Sequence, residues 1–281
     1  MVDSPLRANL FDEQRVLVTG GGTGMGLAFA TAFAAHGAQV AIASRNAEHL
    51  EAGAATIAAA TGAEALTQVV DVRDTESVAA LATTLKTEWG GLDVLVNNAA
   101  ASIGGSILDF PAKRVRLSME ANVVAPLELA QLVVPGMVDR GEGWIVNLSS
   151  ATANLHGGAP YDVTESSRML AVYGASKAAL NRITDGLAVQ LHGTGVRVNA
   201  VQPRAAVLSE GAAAIVGTRL RPDQVESMEA MVEGLVALCD CGPDHTGHIE
   251  DSLGIIQRLG LVVQHLDASG PFPGGIRPLV D

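Results

Sequence analysis

The sequence of 281 residues has few cysteines, few aromatic residues and a deficit of positive charge. Its two cysteines, Cys239 and Cys241, provide no disulfide framework, which fits a reducing compartment. Lysine and arginine number 18 against 30 aspartates and glutamates, and the net charge is −12. Nucleic acid and anionic membrane surfaces are therefore disfavoured as partners, because both attract basic proteins.

The sequence also lacks an apolar secretion signal at its start, since Met1-Val2-Asp3-Ser4-Pro5 carries an acid and no hydrophobic run. The most apolar stretch of helix length, 121–138, contains Pro126, Glu128 and Pro135. We expect that stretch to lie in a core or a subunit interface rather than in a membrane. A cytoplasmic protein with no membrane or nucleic-acid partner is the expectation.

What is present is a regular alternation of apolar strands and helices. Strands are predicted at 16–18, 39–44, 66–71, 92–96, 144–148 and 196–201, with helices at 47–60, 75–89, 113–138, 170–191 and 223–238. Strands without polar alternation, separated by helices, indicate a parallel sheet covered on both faces. Right-handed crossovers make this α/β fold a doubly wound sheet. Because no Ser/Pro-rich linker interrupts the chain, residues 1–281 are predicted to form a single domain.

A glycine-rich turn, Thr19-Gly20-Gly21-Gly22-Thr23-Gly24-Met25-Gly26, follows the first strand and precedes a helix. Such a turn brings backbone N–H groups and a helix N-terminus onto a phosphate, and glycine allows the close approach. The spacing of Gly20, Gly24 and Gly26 does not match the G-x-G-x-x-G dinucleotide fingerprint. A purely structural turn therefore remains an alternative on this motif alone.

Polar residues crowd the carboxyl ends of the predicted strands, where ligands bind in open parallel sheets. An NAD site usually has an acid at the end of the second strand, whereas here Ser44 stands there and Arg45 follows. A guanidinium matches phosphate geometry with paired donors. NADP(H) is therefore favoured, with NAD(H) as the alternative and a solvated loop arginine as the structural explanation.

The segment Tyr173-Gly174-Ala175-Ser176-Lys177 places a phenol and an ammonium four residues apart, on one face of a helix. A neighbouring ammonium favours the phenolate and lowers the pKa of tyrosine from about 10. A tyrosine tuned in this way can exchange a proton with an alcohol near neutral pH. The same spacing also arises by chance in many helices.

Six motifs occur together in one order: the 19–26 turn, Asp71-Val72, Asn97-Asn98-Ala99, Asn122, Ser149-Ser150 and Tyr173-x-x-x-Lys177. In this respect the chain, over roughly 15–203, resembles the short-chain dehydrogenase/reductase family in its short form with one Rossmann-type domain. The resemblance implies an NADP(H)-dependent oxidoreductase that interconverts a secondary alcohol and a ketone or aldehyde. It also implies a homotetramer or homodimer, formed through the two long helices that carry Asn122 and Tyr173.

The resemblance implies four catalytic residues. Tyr173 would be the general acid/base, and Lys177 would lower its pKa and bind the nicotinamide ribose. Ser150, favoured over Ser149, would hydrogen-bond the reacting oxygen. Asn122 would hold the long helix and a water that relays protons to Lys177.

The resemblance also implies a set of cofactor contacts. Asp71 and Val72 would contact adenine, Asn98 and Ala99 would flank its ribose, and Ser209 would hold the nicotinamide carboxamide. The full set comprises Gly20, Gly22, Thr23, Gly24, Met25, Gly26, Ser44, Arg45, Asp71, Val72, Asn98, Ala99, Ala100, Tyr173, Lys177, Pro203 and Ser209.

The chain departs from the family pattern in three segments. An extra loop at 156–168 contains Tyr161, which Glu165 follows in place of a lysine, so Tyr161 is not the catalytic tyrosine. That loop is either part of the pocket wall or a surface excursion. Pro203-Arg204 replaces the usual Pro-Gly, and Arg204 could face an acidic substrate group. A substrate lid is predicted at 205–221 and an extended tail at 270–281.

Two further alternatives follow from the residues. Cys239, Cys241, His245 and His248 could ligate zinc, but one residue between the cysteines is too few for a structural site, so no metal is expected. A non-catalytic regulator that senses NADP would need the glycine turn but none of the four catalytic residues. The low aromatic content of 3% favours a mostly aliphatic substrate pocket.

Overall fold

The computed structural model describes residues 9–161, 163, 165–207 and 225–274. Seven parallel strands form one sheet in the order β3-β2-β1-β4-β5-β6-β9. They are β1 (Arg15–Thr19), β2 (Gln39–Ser44), β3 (Leu66–Val69), β4 (Val94–Asn97), β5 (Gly143–Leu148), β6 (Val196–Gln202) and β9 (Ile249–Asp251). A separate parallel pair joins β7 (Ala206–Val207) to β8 (Val225–Glu226). The predicted doubly wound, Rossmann-type sheet is confirmed.

Helices cover both faces of this sheet. They are α1 (Gly24–Ala35), α2 (Ala47–Thr61), α3 (Thr75–Trp89), α4 (Ala112–Met119), α5 (Ala125–Arg140), α6 (Glu165–Met169), α7 (Ala171–Gln190), α8 (Met228–Cys239) and α9 (Ser252–Leu259). Side chains alternate along each strand, so Val16 and Val18 pack with Phe33 on one face while Leu17 packs with Leu129 on the other. The central strands β1, β4 and β5 are therefore almost wholly buried, whereas the edge strand β3 exposes every second residue.

The long helix predicted at 113–138 is interrupted. A π-helical turn, Glu120–Val124, separates α4 from α5, and the backbone N–H of Ala125 donates to the carbonyl of Glu120. Pro126 has no N–H, so the carbonyl of Asn122, four residues earlier, cannot accept its usual helical hydrogen bond. Single π-turns of this kind occur often at functional sites. The interruption puts Asn122 in the middle of the irregular turn.

By length and composition, the stretch Ala112–Arg140 is apolar enough to cross a membrane. In this structure its inner side packs into the hydrophobic core on the face of the sheet that contains Leu17, through Leu129, Ala130, Val133 and Met137. The stretch is thus a core helix here, as predicted, although its outer face remains exposed at Leu132 and Val138.

The C-terminal part differs from the predictions in its boundaries. The helix predicted from 223 begins at Met228, because the hydroxyl of Ser227 caps it by accepting from the N–H of Ala230, and β8 precedes it. Residues Ala230–Cys239 are all buried, because α8 lies between α1 and α9. Residues 260–274 continue past α9, and the N–H of Phe272 donates to Val263 at 2.8 Å.

Candidate active site

The glycine turn joins β1 to α1 with geometry that only glycine satisfies. Gly20 and Gly24 have φ of 67° and 55°, in the left-handed region that disfavours a side chain. A Cβ on Gly26 would overlap the carbonyl oxygen of Gly20 and lie 2.5 Å from Nδ2 of Asn98. The first turn of α1 contains no acidic residue, and the Thr23 side chain makes no cap hydrogen bond within the described chain. Its N–H groups and positive dipole end therefore suit a phosphate.

Asn98 and Thr19 fix this turn to the loop that follows β4. The hydroxyl of Thr19 accepts from the backbone N–H of Asn98 and of Ala99, both at 3.0 Å. The Asn98 amide donates to the carbonyl of Thr19 at 2.8 Å. The predicted contact of Asn98 with the adenine ribose stays a prediction, and the structure adds a supporting role that the sequence did not indicate.

Two arginines flank the position predicted for the adenosine ribose. Arg45 is exposed after β2, next to Ser44, whose hydroxyl donates to the carbonyl of Asn46 at 3.3 Å. Arg73 holds the Asp71 carboxylate through Nε at 2.9 Å and NH2 at 2.5 Å. These hydrogen bonds, with a smaller effect of the Arg45 charge, lower the pKa of Asp71 to about 2. Arg73 was absent from the sequence prediction.

Close helix packing brings Tyr173 to the end of β5. A Cβ on Gly174 would overlap the carbonyl oxygen of Thr152, so α7 lies directly against the short 3-10 turn Ala151–Ala153. This packing places Tyr173 at the carboxyl end of β5, where the Ser150 hydroxyl favours a lower pKa of the phenol. Ser149 is buried and points elsewhere, with no partner for its hydroxyl among the described residues. The structure thus places Ser150, rather than Ser149, against Tyr173.

The hydroxyl of Ser150 is oriented to donate a hydrogen bond. Its oxygen accepts from the backbone N–H of Thr152 at 3.2 Å and from the Thr152 hydroxyl at 2.9 Å. A hydroxyl has two acceptor positions and one donor, so both acceptor positions are filled and the O–H remains available for a phenol or a substrate oxygen. Thr152 was not singled out from the sequence.

The pKa of Tyr173 is raised. Burial is the largest cause, and hydrogen bonds from Ser150 and Ser102 oppose it. Lys177 lies with its ammonium 5.8 Å from the ring centroid and donates to the carbonyl of Leu148 at 2.6 Å. Lys177 is not among the causes of this shift, so the expectation that Lys177 lowers the pKa of Tyr173 stays a prediction.

Lys177 is itself strongly affected by its surroundings. The side chain is 2% exposed, and burial lowers its pKa to about 8. An amine with that pKa is present in both its charged and its neutral form near pH 8, so it can exchange a proton there. Its hydrogen bond to Leu148 anchors it at the end of β5, close to the predicted ribose position.

Asn122 ties the π-turn to two other elements. Its Oδ1 accepts from the N–H of Ala101 at 2.7 Å, and its Nδ2 donates to the carbonyl of the same residue at 3.1 Å. Nδ2 also donates to the Ser176 hydroxyl at 2.9 Å, which in turn donates to the carbonyl of Tyr173 at 2.7 Å. Asn122 thus contacts the loop after β4 and α7, and its role with a water that relays protons to Lys177 stays a prediction.

Gly174→Ala is expected to lower kcat about tenfold or more, because a methyl group there forces α7 away from Thr152 and separates Tyr173 from Ser150. Gly186→Ala, on the same helix, is the matched control, since the nearest atom to its new Cβ is 4.0 Å away. Steady-state kinetics of both variants test this. An equal loss in both, or in neither, would contradict the packing argument.

The remaining predicted residues have different outcomes. Pro203 follows β6 as predicted, whereas Ser209 and most of the predicted lid, 208–221, lie outside the described residues.

The idea that Arg204 faces an acidic substrate is not supported, because its Nε donates to Asp251 at 2.6 Å and its backbone N–H to the buried Glu226 at 2.9 Å. The extra loop is partly helical, since α6 occupies 165–169. The tail is described to residue 274.

The Cys/His cluster does not assemble as four ligands. Cys239 is fully buried in the core, and Cys241 has its thiol against the carbonyl of Leu238 at 3.1 Å. The rings of His245 and His248 stack 4.1 Å apart, and His245 bonds the Glu250 carboxylate at 2.7 Å. The donor atoms of His245, His248 and Glu250 lie within 4.8 Å of one another, so these three residues, rather than the four of the Cys/His cluster, form a group that could hold a metal ion.

Comparison with known proteins agrees with this geometry. The family model described as short chain dehydrogenase matches residues 14–216. Ketoacyl reductase HetN of Nostoc sp. is 34% identical over 188 residues, which cover 67% of this chain and 62% of that protein. The chain thus spans less than two thirds of HetN.

Solved structures align over more of the chain. A short-chain type dehydrogenase/reductase from Mycobacterium marinum superposes with a TM-score of 0.76 at 28% identity, over 86% of this chain and 94% of that one. The L-sorbose reductase of Gluconobacter frateurii, complexed with NADPH and L-sorbose, superposes with a TM-score of 0.73 at 26% identity, over 86% of this chain and 95% of that one. The chain belongs to the short-chain dehydrogenase/reductase family of oxidoreductases.

Proposed function

We propose that this protein is an NADP(H)-dependent oxidoreductase that interconverts a secondary alcohol and a ketone, or an aldehyde. The observation that carries the proposal is the meeting of Tyr173, Ser150 and Lys177 at the carboxyl end of β5. The glycine turn lies at the carboxyl end of β1, with only β4 between the two strands. A dinucleotide bound across this edge would extend from the turn towards the tyrosine.

The cofactor, when bound, supplies or accepts a hydride at C4 of its nicotinamide. In reduction, Ser150 donates a hydrogen bond to the carbonyl oxygen, which orients the carbon for attack and stabilises the developing negative charge. Tyr173 then gives its phenolic proton to that oxygen. Lys177 holds a proton at Nζ close to the predicted ribose position. In oxidation the same proton transfers run in the opposite direction.

The preference for NADP(H) is supported by charge. Arg45 is exposed at the end of β2, Arg73 lies nearby, and no acid occupies the place that usually binds a ribose 2′-hydroxyl. The L-sorbose reductase structure, which is similar in fold, contains NADPH. NAD(H) remains the alternative of the same class.

Arg45→Ala is expected to weaken NADPH binding about tenfold to a hundredfold while changing NADH binding little, because the lost interaction is with a phosphate that NADH lacks. Arg182→Ala, whose side chain is 75% exposed and paired with Asp185, is the control. Calorimetric titration of the three proteins with both nucleotides measures the ratio of the NADPH and NADH dissociation constants for each protein. A stronger preference for NADH in the unaltered protein would contradict the assignment.

The substrate is proposed to be neutral and largely apolar near its reacting carbon. The loop segments 98–108 and 151–161 flank Ser150 and Tyr173, and neither contains lysine, arginine, aspartate or glutamate. The N–H of Gly105 donates to the carbonyl of Met169 at 2.9 Å and joins the loop after β4 to the extra loop. These two segments therefore offer no side chain of permanent charge to a substrate group.

We also propose a cytoplasmic homodimer or homotetramer. The outer faces of α5 and α7 expose large apolar side chains, with Leu132 at 45%, Val138 at 37% and Val189 at 71%. Apolar residues on two adjacent long helices suit an interface between copies of the chain. Neither a membrane nor a nucleic acid is a proposed partner, in keeping with the acidic charge.

A further inference from the structure

A second group of polar side chains lies around the start of β9, and the candidate active site makes no use of it. The group consists of His245, His248 and Glu250, whose donor atoms all lie within 4.8 Å of one another. His245 and Glu250 keep 24% and 20% of their side chains exposed, and His248 is exposed. Dissolved ions can therefore reach all three side chains from solvent.

A buried asparagine of β6 holds the loop that carries the two histidines. Asn199 is 1% exposed. Its amide nitrogen donates to the carbonyl of His245 at 2.9 Å, and its amide oxygen accepts from the N–H of His248 at 3.0 Å. One side chain thus fixes the backbone of both histidines, which brings two potential ligands together before any ion binds.

The carboxylate of Glu250 is held from two sides. Its Oε1 lies 2.7 Å from Nε2 of His245, and its Oε2 accepts from NH2 of Arg258 at 2.7 Å. A carboxylate that ligates a metal is usually hydrogen-bonded by an outer partner, which fixes its orientation. Arg258, on α9, is in that outer position and leaves Oε1 on the side of the histidines.

The ring of His245 is in the form that binds metals. Burial is the largest influence on the pKa of His245 and lowers it, while the hydrogen bond with Glu250 opposes this effect. The ring is therefore neutral at neutral pH. A neutral imidazole has one nitrogen without hydrogen, and that nitrogen can bind a metal.

Rotation of the side chains completes the geometry. The rings of His245 and His248 stack 4.1 Å apart with 8° between their planes, so one ring must turn before both present a nitrogen to one ion. Zinc bonds of about 2.0–2.2 Å keep tetrahedral ligand atoms about 3.3–3.6 Å apart. The contact of 2.7 Å between His245 and Glu250 therefore opens, and the wider pairs close. Because His248 is exposed, its ring can turn without disturbing the core.

We propose that His245, His248 and Glu250 form a binding site for a divalent transition-metal ion, with zinc as the ion that fits these donors. Two imidazoles and one carboxylate suit zinc, nickel or copper, whereas calcium and magnesium prefer oxygen ligands alone. Solvent supplies the remaining ligand. Cys239 and Cys241, whose spacing argued against zinc in the sequence, are not part of this site.

The position of the site indicates a structural role. β9 is the edge strand next to β6 and has three residues, Ile249–Asp251. An ion bound by His245, His248 and Glu250 joins the loop before β9 to the strand itself. The ion therefore stabilises this edge of the sheet, away from the carboxyl end of β5, where Tyr173 lies.

The test is calorimetric titration of the protein, free of any affinity tag, with zinc chloride at neutral pH. We expect one saturable site per chain. His248→Ala should weaken zinc binding about a hundredfold or more, because it removes a ligand, and Arg258→Ala about tenfold, because it releases the carboxylate. Zinc should also raise the midpoint of thermal unfolding of the unaltered protein but not that of His248→Ala, because an ion that binds only the folded chain stabilises it.

His192→Ala is the matched control, since His192 is exposed after α7 and lies outside the group. It should bind zinc as the unaltered protein does. Without zinc, His248→Ala should unfold at the same temperature as the unaltered protein, because the side chain it removes is exposed. Absence of saturable zinc binding, undiminished binding in His248→Ala, or an equal loss in His192→Ala would overturn the proposal. These measurements need neither nicotinamide cofactor nor turnover, so their outcome is independent of the proposed function.

Discussion

Tyr173→Phe is expected to lower kcat about a thousandfold or more while leaving NADPH binding nearly unchanged. The substitution removes the phenolic hydroxyl that is proposed to give its proton to the substrate oxygen and keeps the ring that packs near Lys177. General acid–base catalysis by a positioned side chain contributes about a hundredfold to ten-thousandfold. The glycine turn that would bind the phosphates is not touched by the change.

Tyr161→Phe is a matched control for this experiment. Tyr161 lies in the extra loop, 59% exposed, with its ring against that of His156. Steady-state kinetics and nucleotide titration of both variants give the comparison. Turnover that survives in Tyr173→Phe, or falls equally in Tyr161→Phe, would contradict the assignment of the proton donor.

Gly26→Ala is expected to weaken the binding of NADPH and NADH alike, by about a hundredfold, and to destabilise the fold by about 1–3 kcal/mol. The new methyl group would overlap the carbonyl oxygen of Gly20 and lie 2.5 Å from Nδ2 of Asn98. The Gly20 oxygen belongs to the turn that would receive the phosphates, and the Asn98 amide holds that turn by donating to the carbonyl of Thr19. The turn must shift to make room, and its N–H groups move with it.

Gly186→Ala again serves as the control, because it adds a methyl group to a helix without close neighbours. Alanine favours helices over glycine by up to about 1 kcal/mol, so this variant should be as stable as the unaltered protein or slightly more stable. Thermal unfolding and calorimetric titration measure both effects. Normal nucleotide binding by Gly26→Ala would show that the turn is only structural.

Features that depend on local sequence were predictable. Apolar runs such as Val16–Val18 indicated buried strands, and the glycines after β1 indicated the turn, because each follows from backbone sterics and side-chain burial. Tyr173 and Lys177 were expected on one helix face and lie on α7. The grouping of site residues came from the order of motifs along the chain.

Features that depend on long-range contacts were not predictable. The Asn122 amide joins Ala101, in the loop after β4, to Ser176 on α7, and no spacing in the sequence indicates these contacts. The π-turn at Glu120–Val124 was missed because the turn itself contains no glycine or proline, although Pro126 is a local signal that could have indicated a defect there.

The pKa of Tyr173 also depends on long-range contacts, which the Tyr173-x-x-x-Lys177 motif does not contain. Proximity in the sequence suggested that Lys177 would lower the pKa of Tyr173, but its ammonium is directed to the Leu148 carbonyl. Burial acts on both groups in the direction that disfavours charge, raising the pKa of the phenol and lowering that of the amine to about 8. Burial is a property of the folded chain and not of the motif.

The central claim is that hydride transfer occurs beside Tyr173, and the most direct measurement is transfer of deuterium from NADPH labelled at C4. The unaltered protein is incubated with labelled cofactor and a panel of neutral cyclic and open-chain ketones, and products are analysed by mass spectrometry. We expect one deuterium on the alcohol carbon of at least one product, and none with Tyr173→Phe. Tight binding of NADPH without label in any product, or undiminished labelling with Tyr173→Phe, would contradict the claim.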